Sequence, residues 1–397
     1  VEKLLSWVIL IGLMSFIFIG CNKIDLEIGH GEKQFDSQVL PQNEPQSDSH
    51  PSDARMVEEI KEKQVLDYMN QMSIEEKIGQ LFFVTVQQVA VNDKYGKDVG
   101  GVILFKDDIT TIEETSKLVQ GLQEQATTSL WIGIDEEGGR VSRVGNNEAM
   151  VNAPFKSAEA IGETGDTQVA YEEAKRMGKV LNSIGVNMNF APDADIYNNP
   201  QNTVIGDRSF GKTAEEVIPM VMAFSKGLKE EEIIPVIKHF PGHGNTVEDS
   251  HVGLAYIDKT IKELEDEEMK PFLEATKNGV DVVMVGHLIV EEMDTLPATL
   301  SPRWGKYIEQ NFDKEHTIFI TDAMNMGAII EDRGSGQATL MSFISGIDMI
   351  LMPEQLDEAM EALKEAYEKG ELSEERINKS VYKILLKKVE QKILVLE

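Results

Sequence analysis

The sequence predicts an α/β fold, a single closed (β/α)8 barrel, and three observations carry that reading. Eight short runs, near-continuously apolar and rich in β-branched residues, recur along the chain, and each is followed by an amphipathic segment. Strands buried on both faces and separated by helices belong to parallel sheets, and eight such units suit a closed barrel. An open doubly wound sheet is the remaining alternative.

Taken in order, the 397 residues open with Lys3 and an apolar run, 4–20, broken only by Ser6 and Ser15. That is short for a membrane span and has the form of an export signal. It ends at Phe18-Ile19-Gly20-Cys21, so residues 1–21 resemble a bacterial lipoprotein signal in which Gly20 admits a peptidase and Cys21 takes the lipid. An uncleaved N-terminal anchor with a chance cysteine is the other reading, and both put the domain outside the cytoplasm, at the membrane. Residues 22–55 read as a flexible linker, since from Gly31 the chain is Gln, Ser, Asp, Pro and Glu with almost nothing to bury. With Cys21 the only cysteine, no intramolecular disulfide can form and packing must stabilise the fold.

The folded domain is expected over 56–397. Ser73 and Glu76 have the spacing of a capping box, with Ile78, Leu81 and Phe82 as the apolar face behind it. The eight strand candidates are 81–86, 101–105, 130–135, 186–191, 234–239, 282–287, 318–322 and 347–352; segments such as 213–230 and 261–278 are the amphipathic partners. Residues 355–388 read as helical with Gly370 as a break. Between Gly133 and Gly139 the glycines fall in the wrong order for a phosphate loop and acids stand where phosphate would sit, so no nucleotide or other cofactor is expected. With 38 Lys plus Arg against 69 Asp plus Glu, the formal charge of −31 repels phosphate backbones, and nucleic acid is excluded as a partner.

Barrel enzymes carry their chemistry at the carboxyl ends of strands, so the polar residues that close apolar runs are informative. The third run ends in Asp135, the fourth in Asn189 leading to Asp193, the fifth in Lys238 and His239, the sixth in His287 and the seventh in Asp322. The densest stretch is Lys238-His239-Phe240-Pro241-Gly242-His243-Gly244-Asn245-Thr246-Val247-Glu248-Asp249-Ser250-His251. Its Pro and Gly residues forbid a helix, so the chain leaves the strand in a turn and enters a polar loop at the barrel mouth. On extended chain Asp249 and His251 share a side, and a carboxylate beside imidazole favours the proton-donating form, as in a general acid/base pair. A metal site built from His239, His243, Asp249 and His251 and a hydrogen-bonded structural loop are the alternatives. The first lacks a His-Glu-x-x-His helix or a cysteine partner, and no metal is expected.

Four motifs together resemble glycoside hydrolase family 3, in its bacterial β-N-acetylglucosaminidase branch: Ile134-Asp135-Glu136-Glu137-Gly138-Gly139-Arg140-Val141, Gly206-Asp207-Arg208-Ser209-Phe210-Gly211, the 238–251 loop, and Thr321-Asp322-Ala323-Met324-Asn325-Met326-Gly327-Ala328. The resemblance covers roughly 65–388. It implies a retaining exo-glycosidase acting on terminal β-linked N-acetylglucosamine in cell-wall muropeptides or chitooligosaccharides, with Asp322 as nucleophile and His251 as general acid and base oriented by Asp249. Asp135, Arg143, Arg208, Lys238 and His239 are implied as the residues that bind the sugar. His243 and His287 are expected to brace the site as neutral rings. The sequence departs from the family pattern at Ala323, where many relatives carry a second acid, and at Leu254-Ala255, where Leu-Pro often follows the loop. A phosphorylase of the same family and a non-catalytic sugar-binding lipoprotein are the competing functions.

Overall fold

The computed structural model describes residues 51–246, 255–326, 329 and 333–396; the 1–21 signal, most of the linker, Asp249 and His251 lie outside the described residues. The strands are β1 (Phe82–Thr85), β2 (Gly101–Leu104), β3 (Trp131–Ile134), β4 (Met188–Asn189), β5 (Ile234–Phe240), β6 (Ala255–Tyr256), β7 (Val282–Val285), β8 (Leu288–Ile289), β9 (Ile318–Thr321) and β10 (Ile350–Leu351). Eight of them form one sheet in the order β10-β1-β2-β3-β4-β5-β7-β9, and every neighbouring pair is parallel. Ile320 of β9 bridges Met349, just ahead of β10, and the Thr321 N–H donates to the Met349 carbonyl at 3.0 Å. The outermost strands therefore meet, and the sheet closes as the expected (β/α)8 barrel. Strands β6 and β8 form a separate parallel pair.

Complete burial explains why the runs are apolar without alternation: all residues of β2, β3, β7 and β9 are buried. Space inside the barrel is set by pairing large with small. Phe83 of β1 meets Phe190 edge to face at 5.2 Å between ring centres. A Cβ on Gly101 or Gly133 would stand 2.5 or 2.7 Å from the Phe83 ring, so β2 and β3 must carry glycine where they face it.

Most helices start where the sequence places a cap. Ser73 and Glu76 exchange both bonds of the capping box, at 2.7 and 3.2 Å. Thr213 caps the helix Ala214–Glu230, and Gly370 lies between Leu356–Glu368 and Glu374–Glu390. Two expectations are adjusted. The helix Pro51–Met69 takes in residues 51–55, which composition assigned to the linker, because proline suits a first helical position. The segment 261–278 is two helices, Ile261–Asp266 and Lys270–Lys277, since Pro271 has no N–H to return to the Glu267 carbonyl.

Two packing features yield tests. Phe240, the last residue of β5, makes edge-to-face contacts with Phe272, Trp304 and Phe312 at 5.4–5.7 Å, which anchors the strand where it enters the barrel mouth. Phe240→Ala is expected to cost about 3–5 kcal/mol in urea unfolding. Lys388 is wholly buried: its Nζ donates to Gln80 Oε1 at 2.8 Å, lies 5.5 Å from the Trp131 ring centre, and has no ion-pair partner among the described residues. Burial brings this ammonium from 10.5 down to about 7. Between those values the unfolded chain holds a proton that the native state has released, so stability rises with pH across that window. Between pH 7 and pH 9 the wild type should gain stability relative to Lys388→Met, by at most about 1.4 kcal/mol per pH unit. Equal pH dependence in the two proteins would contradict a titrating buried lysine.

Candidate active site

The polar ends of the strands converge at the carboxyl end of the barrel. Asp135 and Glu137 follow β3. On extended chain they share a side, with Glu136 on the other. Lys238 Nζ spans both, 2.9 Å from Asp135 Oδ1 and 2.6 Å from Glu137 Oε1. Arg208, in the single turn Gly206–Arg208, grips Glu137 with two bonds of 2.8 and 2.9 Å. The same guanidinium lies 3.3 Å from His239 Nε2 and 3.4 Å from Asp193 Oδ2. Arg143 approaches Asp135 at 3.6 Å. The five residues expected to bind the sugar thus form one connected group.

Two adjacent residues of a regular strand point to opposite faces, yet Lys238 and His239 both join this group. The β5–β7 register shifts between Ile237 and Phe240, where β5 carries one residue more than its neighbour. Such a bulge re-aims side chains next to a site. The Lys238–His239 peptide bond within it is cis.

Asp193 and Asp195, beyond β4, complete the group. Asp195 Oδ2 accepts from His239 Nδ1 at 2.7 Å, and its Oδ1 accepts the His243 N–H at 2.6 Å. With Nδ1 donating to Asp195, His239 presents the Nε2 lone pair to Arg208. His243 Nδ1 pairs with Thr246 Oγ1 at 2.8 Å, and burial takes this ring down to about 4, so it is neutral.

Burial alone would raise the Glu137 carboxyl, but the Arg208 and Lys238 charges outweigh it and hold the group below the usual carboxylate range. Burial also opposes the Lys238 ammonium, and Asp135 with Glu137 overcome it, raising the group above its ordinary value. Asp193 goes the other way. Burial, then the nearby Asp195 charge, raise its carboxyl well above the carboxylate range despite Arg208. Among the described residues, Oδ2 of Asp193 has no hydrogen-bond partner.

Asp193, Asp195 and His239 offer atoms within 4.8 Å of one another, a spacing that could hold a metal ion. The Arg208 guanidinium already stands against two of the three, and His239 Nδ1 is committed to Asp195, so these donors are organised around an arginine.

Asp322 follows β9, half-buried. Its N–H donates to the Val285 carbonyl at 2.8 Å, and its Oδ1 accepts the Ala323 N–H at 2.8 Å. His287 sits beside it as the expected brace: one ring nitrogen meets Thr299 Oγ1 at 2.8 Å and the other meets the Ala323 carbonyl at 3.0 Å. The structure brings Asp135, Arg143, Arg208, Lys238 and His239 together and puts Asp322 on the same end of the barrel. The sequence reading assigned no role to Glu137, Asp193 or Asp195. The two-residue spacing from Asp135 to Glu137 and from Asp193 to Asp195 was the signal available for them.

Comparison with known proteins identifies the family of the chain. A family model described as "Glycosyl hydrolase family 3 N terminal domain" matches residues 73–386. The chain is 31% identical over 317 residues to beta-hexosaminidase A of Pseudoalteromonas piscicida, which covers 72% of this chain and 52% of that one, so it spans about half the length of that relative. It is 31% identical over 327 residues to beta-hexosaminidase LpqI of Mycobacterium tuberculosis, covering 79% of this chain and 82% of the relative. A solved glycoside hydrolase family 3 beta-N-acetylglucosaminidase from Paenibacillus sp. str. FPU-7 superimposes with a TM-score of 0.75 at 36% identity, over 81% of this chain and 63% of that one. Barrel, strand-end acids and a family match that runs through nearly the whole barrel lead to one conclusion: the chain belongs to glycosyl hydrolase family 3.

Proposed function

We propose that the chain is a retaining exo-β-N-acetylhexosaminidase that removes terminal non-reducing β-linked N-acetylglucosamine from cell-wall muropeptides or chitooligosaccharides. The observation that carries this reading is the connected group of Asp135, Arg143, Arg208, Lys238 and His239 at the barrel mouth that also holds Asp322. Its buried members are locked by one another, so they meet a neutral sugar as fixed donors and acceptors. The names of the relatives, beta-hexosaminidase and beta-N-acetylglucosaminidase, support the choice of an N-acetylated sugar.

In the proposed reaction an Asp322 carboxylate oxygen attacks the anomeric carbon and the bond to the leaving oxygen breaks. His251, oriented by Asp249, gives that oxygen its proton. The now neutral imidazole then takes a proton from water, whose oxygen attacks the anomeric carbon and releases Asp322. Two inversions leave the configuration unchanged. The Ala323 N–H on Asp322 Oδ1 fixes how that carboxylate is turned.

Asp322→Ala should lower turnover of an aryl β-N-acetylglucosaminide by several powers of ten. His251→Ala should lower it about 100- to 10,000-fold, least with a good leaving group. Unchanged rates in either variant would remove that residue from the mechanism. Product analysis with and without inorganic phosphate separates the two reactions the site could run: free N-acetylglucosamine supports hydrolysis, and the sugar 1-phosphate would make the chain a phosphorylase.

The proposed location is extracytoplasmic, with a lipid on Cys21 and residues 22–55 as the linker. Among the described residues no helix is long and apolar enough to cross a membrane, so anchoring would rest on the N-terminal segment. Cys21→Ala should move the protein from the membrane fraction to the soluble or unprocessed fraction. Retention at the membrane at full size in both proteins would favour an uncleaved anchor.

A further inference from the structure

Glu136 stands between two residues of the sugar group, and its side chain takes no part in that group. It is fully buried, on the opposite side of the chain from Asp135 and Glu137. Its backbone is fixed first: the N–H donates to Asn189 Oδ1 at 2.9 Å and the carbonyl accepts from Asn189 Nδ2 at 2.8 Å. The carboxylate then gathers four donors from one short loop. These are the Ser142 hydroxyl and the backbone N–H groups of Arg143, Val144 and Gly145, the last three at 2.8, 2.6 and 3.3 Å.

Three successive N–H groups turned toward one carboxylate bend the loop into a cup around it. Gly145 has to be glycine there, because a Cβ would stand 2.6 Å from Ser142 Oγ and 3.2 Å from Glu136 Oε1. Val144 is fully buried beside it. With both neighbours pointing inward, Arg143 emerges from the cup toward the mouth. Its guanidinium stands 5.9 Å from the Phe105 ring centre and 3.6 Å from Asp135 Oδ2. Glu137 holds the start of this loop through its N–H on the Val141 carbonyl at 2.9 Å, and the Glu136 carboxylate holds the stretch from Ser142 to Gly145 that carries that guanidinium.

We propose that Glu136 is a positioning residue for substrate recognition: its buried carboxylate shapes the Ser142–Gly145 loop so that Arg143 is presented beside Asp135, where both meet the hydroxyls of the bound sugar. The proposal rests on the reading of Arg143 as a sugar-binding residue. Glu136 touches no substrate and acts in ground-state and transition-state complexes alike, so its loss should appear in KM and leave kcat nearly unchanged.

The test is a double-mutant cycle on the whole chain, with KM and kcat measured on an aryl β-N-acetylglucosaminide. Glu136→Gln keeps the side-chain shape but removes the negative charge that the loop N–H groups surround, and it sets an amide N–H₂ in place of the oxygen that accepts from the Ser142 hydroxyl. It should raise KM about tenfold with kcat within about twofold of wild type, and Arg143→Ala should raise KM at least as much. In the Arg143→Ala background, Glu136→Gln should change KM by less than about twofold, because the residue acts through the arginine already removed. Multiplying effects, or an unchanged KM in Glu136→Gln, would overturn the proposal. An unchanged KM in Arg143→Ala would overturn it too, and would separately remove Arg143 from the sugar site. If Glu136→Gln fails to fold, Ser142→Ala removes a single donor and leaves the carboxylate. A KM rise of a few-fold that vanishes in the Arg143→Ala background supports the proposal, and a rise that persists there overturns it.

Discussion

The site depends on one buried ion group, Glu137 held between Arg208 and Lys238. Three segments meet there: the chain after β3 brings the carboxylate, β5 brings the ammonium, and the turn Gly206–Arg208 brings the guanidinium. Desolvating three charges is costly, and buried ion pairs are poor sources of net stability. Their use here is orientation. Once Glu137 has two cations on it, Lys238 is aimed at Asp135 and Arg208 is aimed at His239 and Asp193. Removing Glu137 would leave two buried cations without their common partner, a change of about 3–5 kcal/mol by analogy with other broken buried pairs. A sugar hydroxyl is a weak and neutral partner, so a site that binds it selectively must present donors and acceptors already held in place. This group is held in place by its own charges, as the proposed sugar site requires.

Much of this was legible in the sequence, for definite physical reasons. Strands buried on both faces are mostly apolar, so a polar residue near the end of one is visible, and Asp135, Lys238, His239 and Asp322 were found that way. The capping box at Ser73 and Glu76 and the break at Gly370 depend only on local chain properties, and they appear where the residues put them. What was not legible depends on neighbours distant in sequence. No local feature says that β5 bulges against β7, yet the bulge is what turns both Lys238 and His239 toward the mouth. Glu137 reads as a surface acid until Arg208 and Lys238 are beside it. Glu136 is a harder case, since three of the four donors to its carboxylate are backbone N–H groups, which leave no mark in the residue sequence.

The two ends of the site are secured differently. On the β9 side, Asp322 is tied by backbone bonds to β7 and to its own neighbour, and His287 holds the Ala323 carbonyl from below. On the β5 side, the chain leaves the strand and is held at each step up to Thr246. Asp195 takes the His243 N–H, Asn202 reaches the His243 carbonyl at 2.8 Å, Asn199 reaches the Asn245 carbonyl at 3.0 Å, and Asn198 accepts from the Asn245 side chain at 3.1 Å. Three asparagines of the segment after β4 thus fix the stretch that leads toward Asp249 and His251.

This division suits the chemistry proposed for the chain. A nucleophile attacks along one line, so its carboxylate gains from being held by strand backbone, where a misplacement of about 1 Å already costs a hundredfold in rate. A residue that first gives a proton to one oxygen and later takes one from another has two geometries to serve. A fixed stretch of chain ahead of such a residue gives it a reproducible starting point. Retaining enzymes that use two carboxylates at fixed separation obtain both functions from rigid supports. For the chain the proposed proton donor belongs to, the described support ends with the buried Asp195, His243 and Asn202, which hold it up to Thr246.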